Sequence, residues 1–445
     1  MNNAPAHPLT EHARQAVARL QEAGFIAYWA GGCVRDMLME REPRDIDIAT
    51  NAVPEEVARL FPGAVMVGKA FGVVRAPIGG FFYEVATFRK DHDYRDGRRP
   101  TGITFSDPPT DAMRRDFTIN AMFYDPVHDR LHDYVHGQED LAAGIVRCVG
   151  EPAARIEEDA LRMLRAVRFA STLDFTIHSE TLSVIRDCAP RIACVSAERI
   201  RDELTRTLLE SRTAGAAIRL LDDASLLEQI LPEVAATKGQ AQPERFHPEG
   251  DVFEHTVLML NLMEERTAAL AYAVLLHDIG KPGTVVEAPD RLRFPGHAAQ
   301  GAELAAGILR RLRFPNRDAD TILQCVRNHM RFMDVRKMRR STLRRMVAAP
   351  SFPVELEMHR LDCLASHGDL ENYRFLVAFR EELAHEPVLP PRWINGRDIM
   401  DMGLSEGPRI GKWLARAYDA QLEGRFENRE ALLEWLENEL ERDPA

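Results

Sequence analysis

The sequence predicts an α+β fold: a mixed α/β head with a small mixed β-sheet, followed by segments that are all-α to the end. Three observations carry this. Short β-like runs separated by turn signals fill residues 1–150, strand signals nearly vanish from Pro152 onward, and 445 residues exceed what one core can organise. The division expected is a head over 1–150, a helical neck and body over 151–237, a linker over 238–250 rich in Gln, Pro and Gly, a helical unit rich in His and Asp over 251–370, and a helical tail over 371–445 that breaks at Pro387, Pro390 and Pro391.

In the head, a helix from Glu11 to Ala23 stops at Gly24, an ordinary residue just past a helix end. Strand-like runs follow at Phe25–Ala30, Asp45–Ala49, Val65–Val67, Val73–Pro77, Phe81–Phe88 and Ile119–Tyr124. Pro62-Gly63, Gly79-Gly80 and Asp96-Gly97 mark turns among them. Hydrophobic content of 45% and charged content of 28% are those of an ordinary globular protein. No run approaches the ~20 apolar residues of a membrane helix, and Met1 to Leu20 predicts no secretory leader. The six cysteines form no CxxC pair, as expected for reduced thiols in a cytoplasm. A net charge of −12 argues against a generally basic nucleic-acid binder, but a local stripe suffices to hold phosphates. Arg331, Arg336, Lys337, Arg339, Arg340, Arg344 and Arg345 form such a stripe, or else a solvated helix face.

Trp29 to Asp36 reads WAGGCVRD, two glycines between a strand and a helix. Such a turn lets backbone N–H groups approach a triphosphate, and Arg35 adds a charge-assisted grip. Arg44 to Thr50 then reads RDIDIAT. On a strand, Asp45 and Asp47 share one face while Ile46 and Ile48 take the other. Paired carboxylates repel unless a cation lies between them, and Mg²⁺ prefers oxygen ligands shared with phosphates.

The run GGCVRDMLMEREPRDIDIAT resembles the signature of the polymerase-β-like nucleotidyltransferases, in particular the bacterial class of CCA-adding enzymes and poly(A) polymerases. Matches continue at Gly68–Gly72 (GKAFG), Glu84–Arg89 (EVATFR), Arg114–Ala121 (RRDFTINA) and Glu158–Arg162 (EDALR), so the resemblance covers residues 25 to about 230. It implies that Asp45 and Asp47 are catalytic Mg²⁺ ligands and that Gly32, Arg35 and Arg115 hold the triphosphate. Glu84 reads equally as a third carboxylate and as a surface strand residue, and Arg114 and Asp116 have a structural reading. The polar loop Asp91–Pro100 resembles the element associated in the family with the switch to adding A.

A helix from Arg155 to Ser171, projected at ~100° per residue, places Ala160, Leu161, Met163, Leu164 and Val167 on one arc and Arg155, Glu158, Asp159, Arg162, Arg165 and Arg168 on the other. Ion pairs along the helix would explain that polar face alone. Chemistry offers more. Cytosine and adenine both present an amine donor beside a ring-nitrogen acceptor, which Asp159 and Arg162 complement; uracil and guanine would face a polar site with a mismatched carbonyl or N–H. In the resembled enzymes the residues matching Asp159 and Arg162 read the base, and those matching Arg165 and Arg168 also contact the nucleotide.

Downstream stand His255, then LLHDIGKP from Leu275 to Pro282, then His297, His329 and Asp362. An adjacent His-Asp with distant His and Asp is a metal-ligand pattern. The order resembles the HD phosphohydrolase superfamily, with His255, His277, Asp278 and Asp362 as the basic set and His297 and His329 as extra ligands of dinuclear members. A divalent transition metal (Mn, Ni, Fe or Zn) is expected there. His247, His359 and His367 receive no role.

Together these readings imply addition of CMP and AMP from CTP and ATP to the 3′ acceptor end of tRNA. The alternatives are a poly(A) polymerase, an enzyme that adds only A or only CC, and, from another class, an HD-type metal-dependent phosphohydrolase.

Overall fold

The computed structural model describes residues 8–68, 72–91, 102–243 and 247–442. It divides into two compact units, residues 1–235 with 311–313, and residues 236–310 with 314–445.

The first unit opens with α1 (Pro8–Glu22), β1 (Ala27–Ala30), α2 (Gly32–Leu38), β2 (Asp47–Thr50), α3 (Pro54–Leu60), β3 (Val65–Gly68), β4 (Val73–Ile78) and β5 (Phe81–Thr87). A hairpin of β6 (Arg89–Asp91) and β7 (Ile103–Phe105) leads to α4 (Pro108–Met113), β8 (Phe123–Asp125), β9 (Arg130–His132), α5 (Gly137–Ala143) and β10 (Ile145–Val146). Seven strands form one sheet in the order β3-β4-β5-β2-β1-β8-β9. All its pairings are antiparallel except β2 with β5. Gly79 and Gly80, at φ 60° and 85°, make the two-residue turn from β4 to β5, where two successive positive φ values match the twist of a hairpin.

Alternation along the strands separates two faces. Ala13, Ala16, Val17 and Leu20 of α1 pack on Trp29, Ile48, Val74 and Val85. The opposite face carries Ala30, Ala49, Phe88 and Phe123 in a smaller cluster. Asp47 and Glu84 immediately precede the paired residues Ile48 and Val85, which places the two carboxylates side by side on that second face.

Helices then dominate: α6 (Pro152–Glu158), α7 (Arg162–Leu173), the short β11 (Thr176–Ile177) parallel to β10, α8 (Ser179–Cys188), α9 (Ala197–Glu210), α10 (Ala214–Asp223), α11 (Leu227–Ile230) and α12 (Pro232–Ala235). The second unit has α13 (Val252–Asn261), α14 (Ala268–Leu276), a hairpin of β12 (Val286–Glu287) and β13 (Leu292–Arg293), α15 (His297–Arg311), α16 (Asn316–Asn328), α17 (Arg340–Val347), α18 (Phe352–Ala365), α19 (Glu371–Glu382), α20 (Gly396–Asp401), α21 (Pro408–Leu422) and α22 (Arg429–Arg442). Among the described residues no helix is long and apolar enough to cross a membrane.

Four expectations change. The expected strand from Asp45 begins at Asp47, so Asp45 lies just before it. The run Ile119–Tyr124 splits into a 3-10 turn at Thr118–Asn120 and β8, because Thr118 is tied to Asp140 and Asn120 to Arg35. The single helix expected over 155–171 is two, with Asp159 extended between them at φ −150° and ψ 102°. Its own carboxylate accepts from the Leu161 N–H, a local bond that competes with helix continuation. Lastly, two-residue strands occur beyond Pro152 at β11, β12 and β13, too short to show a period. Residues 92–100 of the polar loop and 69–71 of the Gly68–Gly72 segment lie outside the described residues.

Candidate active site and metal centre

One cavity of about 1000 Å³ in the first unit is lined by Gly32, Arg35, Asp45, Asp47, Arg115, Asp159, Arg162, Arg165 and Arg168, whereas Glu84, Arg155 and Glu158 are not among its lining residues. Its walls are mostly guanidinium and carboxylate, a lining suited to an anionic ligand that carries cations with it.

The glycine corner sits between β1 and α2. Gly31, at φ 80°, requires glycine: a Cβ there would lie 3.1 Å from Arg115 Nη1. Gly32 has no such constraint, since a Cβ at that position would meet only Arg35 Nη2, at 3.6 Å. Arg35 is buried; it donates to Asn120 Oδ1 at 2.7 Å and pairs with Asp36 at 2.6 Å. Arg115 donates to Asp111 through Nε and Nη2 at 3.2 and 3.1 Å and to the Asn120 carbonyl at 3.3 Å.

Ile46 and Ile48 are buried in the α1-side core, as the alternation requires, and Asp45 and Asp47 are on the exposed side. Burial of its carboxylate, then the charges of Asp45 and Glu84, push Asp47 up to about 6. With Asp45 and Glu84 setting their charges beside it, the Asp47 carboxylate belongs to a group of hard oxygens that fits a divalent cation.

Asp159 and Arg162 face the cavity already held by protein. Arg199 donates to Asp159 Oδ1 at 3.2 Å and Oδ2 at 2.6 Å, and the Leu161 N–H donates to Oδ1 at 3.1 Å. Arg162 Nη1 donates to the Arg155 carbonyl at 2.8 Å and Glu158 Oε2 at 2.6 Å, and Nη2 to the Arg114 carbonyl at 3.0 Å. A carboxylate offers about four acceptor positions and a guanidinium about five donors. What is left, among the described residues, is an acceptor position on Asp159 Oδ2 and donors on Arg162 Nη2 and Nε.

Arg165 pairs with Asp116 at 2.6 Å and reaches Glu203 at 3.6 Å; Arg168 donates to Glu203 at 2.6 Å. The guanidinium carbons of Arg35, Arg165 and Arg168 lie 5.3, 5.2 and 4.2 Å from the Phe169 ring centre, so one aromatic ring is in reach of three cations. Sequence reasoning did not find Phe169, Arg199 or Glu203; Gly31, as the first glycine of the pair, and Asn120, within RRDFTINA, stand in the matched motifs without an assigned role.

The second unit brings His255, His277, Asp278, His297, His329 and Asp362 together. His277, Asp278 and His255 offer ligand atoms within 4.8 Å of one another, as do Asp278, His297 and His329. His277, His297 and His329 each direct Nδ1 at the carbonyl three residues earlier, at 2.8, 2.8 and 2.7 Å. A carbonyl cannot donate, so Nδ1 carries the proton and Nε2 keeps a lone pair. His297 Nε2 and His329 Nε2 are then two acceptors only 3.0 Å apart. Asp278 Oδ1 lies 3.5 and 3.6 Å from them and is buried without a hydrogen-bond partner, as are His277 Nε2 and His255 Nε2. His255 Nε2 is 3.1 Å from Asp362 Oδ1 but out of hydrogen-bonding line. Burial holds His329 down to about 4, so a proton does not relieve the crowded lone pairs at neutral pH. Converging lone pairs and an orphaned carboxylate oxygen fit divalent cations.

The basic stripe behaves otherwise. Arg331 pairs with Glu355, Arg336 with Glu371, Lys337 with Asp334, Arg340 with Glu382, Arg344 with Glu386 and Arg345 with Asp419. Acids distant in sequence therefore neutralise most of it.

Family models match three segments: the poly A polymerase head domain over residues 27–147, the probable RNA and SrmB-binding site of polymerase A over 174–238, and the HD domain over 252–360. The CCA-adding enzyme of Lactobacillus helveticus (strain DPC 4571) is 40% identical over 252 residues, 55% of this chain and 62% of that protein. That of Staphylococcus aureus (strain bovine RF122 / ET3-1) is 45% identical over 201 residues, 45% of this chain and 50% of that protein. The matched part thus spans about half to three-fifths of these relatives' length. Among solved structures, the Bacillus stearothermophilus CCA-adding enzyme in complex with CTP superimposes with a TM-score of 0.73 at 26% identity, over 99% of this chain and 100% of the other. The Thermotoga maritima CCA-adding enzyme complexed with tRNA shares the fold, with a TM-score of 0.62 at 21% identity over 97% of this chain and 98% of the other. A poly A polymerase head domain, a polymerase A RNA-binding segment and an HD domain thus match in that order along the chain, which is similar to CCA-adding enzymes over the parts compared.

Proposed function

We propose that the chain is a CTP/ATP:tRNA nucleotidyltransferase, adding CMP and AMP to a tRNA 3′ end without a nucleic-acid template. The observation that carries this reading is the pair Asp159–Arg162, which lines the same cavity as Asp45 and Asp47 and keeps one acceptor position and two donors free. Asp159 Oδ2 accepts the exocyclic amine of cytosine or adenine, and Arg162 donates to the neighbouring ring nitrogen. Uracil and guanine place a carbonyl opposite Oδ2, which strands two acceptors face to face and is strongly disfavoured in a polar pocket.

Asp45 and Asp47 hold Mg²⁺ in this reading. Bound there, Mg²⁺ supplies the charge that activates the RNA 3′-hydroxyl and stabilises the departing pyrophosphate. Gly31 and Gly32 leave room for backbone to approach the triphosphate, Arg35 and Arg115 grip its oxygens, and Arg165 and Arg168 extend the cationic wall. The helices beyond residue 170 and the tail hold the acceptor arm by shape and phosphate contacts. The assignment 1–150 as catalytic head, 151–237 as neck and body, 238–250 as linker, 251–370 as HD domain and 371–445 as tail accompanies the proposal. So does a cytoplasmic setting, in which free cysteines such as Cys33 and Cys148 stay reduced.

The HD cluster supports a second activity, metal-dependent hydrolysis of a phosphate ester, with Mn, Ni, Fe or Zn at His255, His277, Asp278, His297, His329 and Asp362. Its separate constellation of buried, unpartnered ligand atoms favours this.

Purified protein, tRNA lacking its terminal CCA and each nucleoside triphosphate offered alone and together provide the test. CTP and ATP together should restore CCA, UTP and GTP should not react, and Asp45→Ala/Asp47→Ala should abolish addition. Long A tails on unrelated RNA would indicate a poly(A) polymerase instead, and full addition by the double variant would overturn the reading. Hydrolysis of a phosphodiester, lost in His277→Ala/Asp278→Ala, would establish the second activity.

A further inference from the structure

Three of the four histidines in the HD cluster are braced in the same way. His277, His297 and His329 donate Nδ1–H to a neutral backbone carbonyl one turn earlier. His255 differs. Its Nδ1 lies 2.5 Å from Glu249 Oε1, and the same oxygen lies 2.9 Å from His247 Nδ1. The His247 and His255 rings meet edge to face, 4.9 Å between centres at 82°. The Glu249 side chain is only 9% exposed, and its Oε2 is buried without a partner.

The stretch that bears Glu249 reads from sequence as a linker, yet it is fastened to the metal cluster at several points. Asp251 accepts from the Glu254 N–H at 2.8 Å and from the Gly239 N–H at 2.6 Å, and the Val252 N–H reaches the Gln240 carbonyl at 3.1 Å. Gln242 accepts from Lys281 Nζ at 2.6 Å, and Lys281 in turn holds Asp278 Oδ2 at 2.5 Å. One segment therefore braces two metal-ligand positions, His255 through Glu249 and Asp278 through Gln242 and Lys281.

We propose that Glu249 is a positioning residue of the HD metal centre, fixing the His255 ring and strengthening its Nε2 as a metal donor. This rests on the HD cluster being a metal site. A carboxylate draws the Nδ1 proton towards itself more strongly than a carbonyl does, which leaves the imidazole closer to imidazolate and Nε2 more basic towards a cation. Losing such a partner typically lowers metal affinity about 10- to 100-fold. His255 is the ligand position so backed, and the cluster therefore has unequal ends: the end made by His255 and Asp362 binds its cation more tightly than the end made by His297 and His329. His247, which shares the carboxylate, has the lesser part of keeping Glu249 turned towards His255.

The test uses the full-length protein stripped with a chelator and titrated with Co²⁺, whose visible absorption reports ligand set and geometry. Wild type, Glu249→Gln, His247→Ala, His255→Ala and His277→Ala/Asp278→Ala are compared, with thermal melts of the metal-free proteins run alongside. Glu249→Gln keeps shape and removes charge. It should melt like the wild type without metal, yet bind the first Co²⁺ about 10- to 100-fold more weakly and with an altered spectrum. His247→Ala should show a smaller loss of the same kind. Wild-type affinity and spectrum in Glu249→Gln, alongside weakened binding in His255→Ala, would overturn the positioning role and leave the metal site standing. Equal Co²⁺ binding by wild type and His277→Ala/Asp278→Ala would overturn the metal site, and the proposal with it.

Discussion

Arg199 grips both carboxylate oxygens of Asp159, at 3.2 and 2.6 Å, across a separation of 40 residues in the chain. The fork fixes the plane of the carboxylate and so decides where its remaining acceptor position points. Arg199→Ala is expected to lower kcat/KM for both CTP and ATP by about 100-fold, the scale of a misplaced catalytic or recognition group. It should also relax rejection of UTP and GTP. Arg199→Lys should recover little, since an ammonium cannot engage both oxygens in one plane. Single-nucleotide incorporation with all four triphosphates measures both effects; unchanged selectivity in Arg199→Ala would show that Asp159 needs no anchor.

Glu84 stands beside Asp47 in the register of β2 and β5 and contributes to the upward push on the Asp47 carboxyl. Glu84→Gln should raise the Mg²⁺ concentration for half-maximal nucleotide addition about 10-fold, as expected when a neighbour of a metal ligand is removed. Its side chain is exposed, so stability should change by less than about 0.5 kcal/mol. A Mg²⁺ titration of initial rates with a parallel melt separates the two.

Burial alone would raise the Asp116 carboxyl, but Arg165 more than reverses this and holds it below its ordinary value. A carboxyl depressed in the folded state stabilises it above the unfolded value of about 4, and that stability is lost as pH falls through the lower, folded value. Asp116→Asn should therefore lower the melting temperature at pH 7, with a cost of about 1–3 kcal/mol once the partial exposure of Arg165 is discounted. The gap between the two proteins should narrow below pH ~4. A constant gap from pH 7 to pH 3 would contradict the assignment.

Chelation should act on the HD cluster. At 100 times its dissociation constant, a ligand that binds only the folded state adds about 2.7 kcal/mol. EDTA is thus expected to lower a melting transition of the wild type while leaving His277→Ala/Asp278→Ala unchanged, as scanning calorimetry would show. Equal responses would place the stabilising metal elsewhere.

Features with a short period were legible in the sequence, and features made by distant partners were not. Ile48 turns inward and Asp47 outward because a strand alternates at every residue, whatever surrounds it, and Ile46 and Asp45, just before the strand, keep the same in-and-out pattern. The break at Asp159 was hidden because Ala160, Leu161, Met163 and Leu164 continue a helical apolar pattern straight through it; a single hydrogen bond to the Leu161 N–H makes the difference. The arginines from Arg331 to Arg345 looked like a phosphate stripe because Glu355, Glu371, Glu382, Glu386 and Asp419, which neutralise them, come later in the chain. Likewise the composition of residues 238–250 suggested a spacer, and nothing local to it tells that Gln242 and Glu249 meet Lys281 and His255.

The extended residue between α6 and α7 also makes this stretch sensitive to length. Adding or deleting one residue between Asp159 and Arg162 would rotate all of α7 by ~100° relative to its anchor. Arg165 and Arg168 would swing away from Asp116 and Glu203 together, although no side chain had been altered. Substitutions here can be compensated one at a time, but an insertion or deletion displaces every downstream contact at once, so this corner acts as a fixed ruler between the two helices.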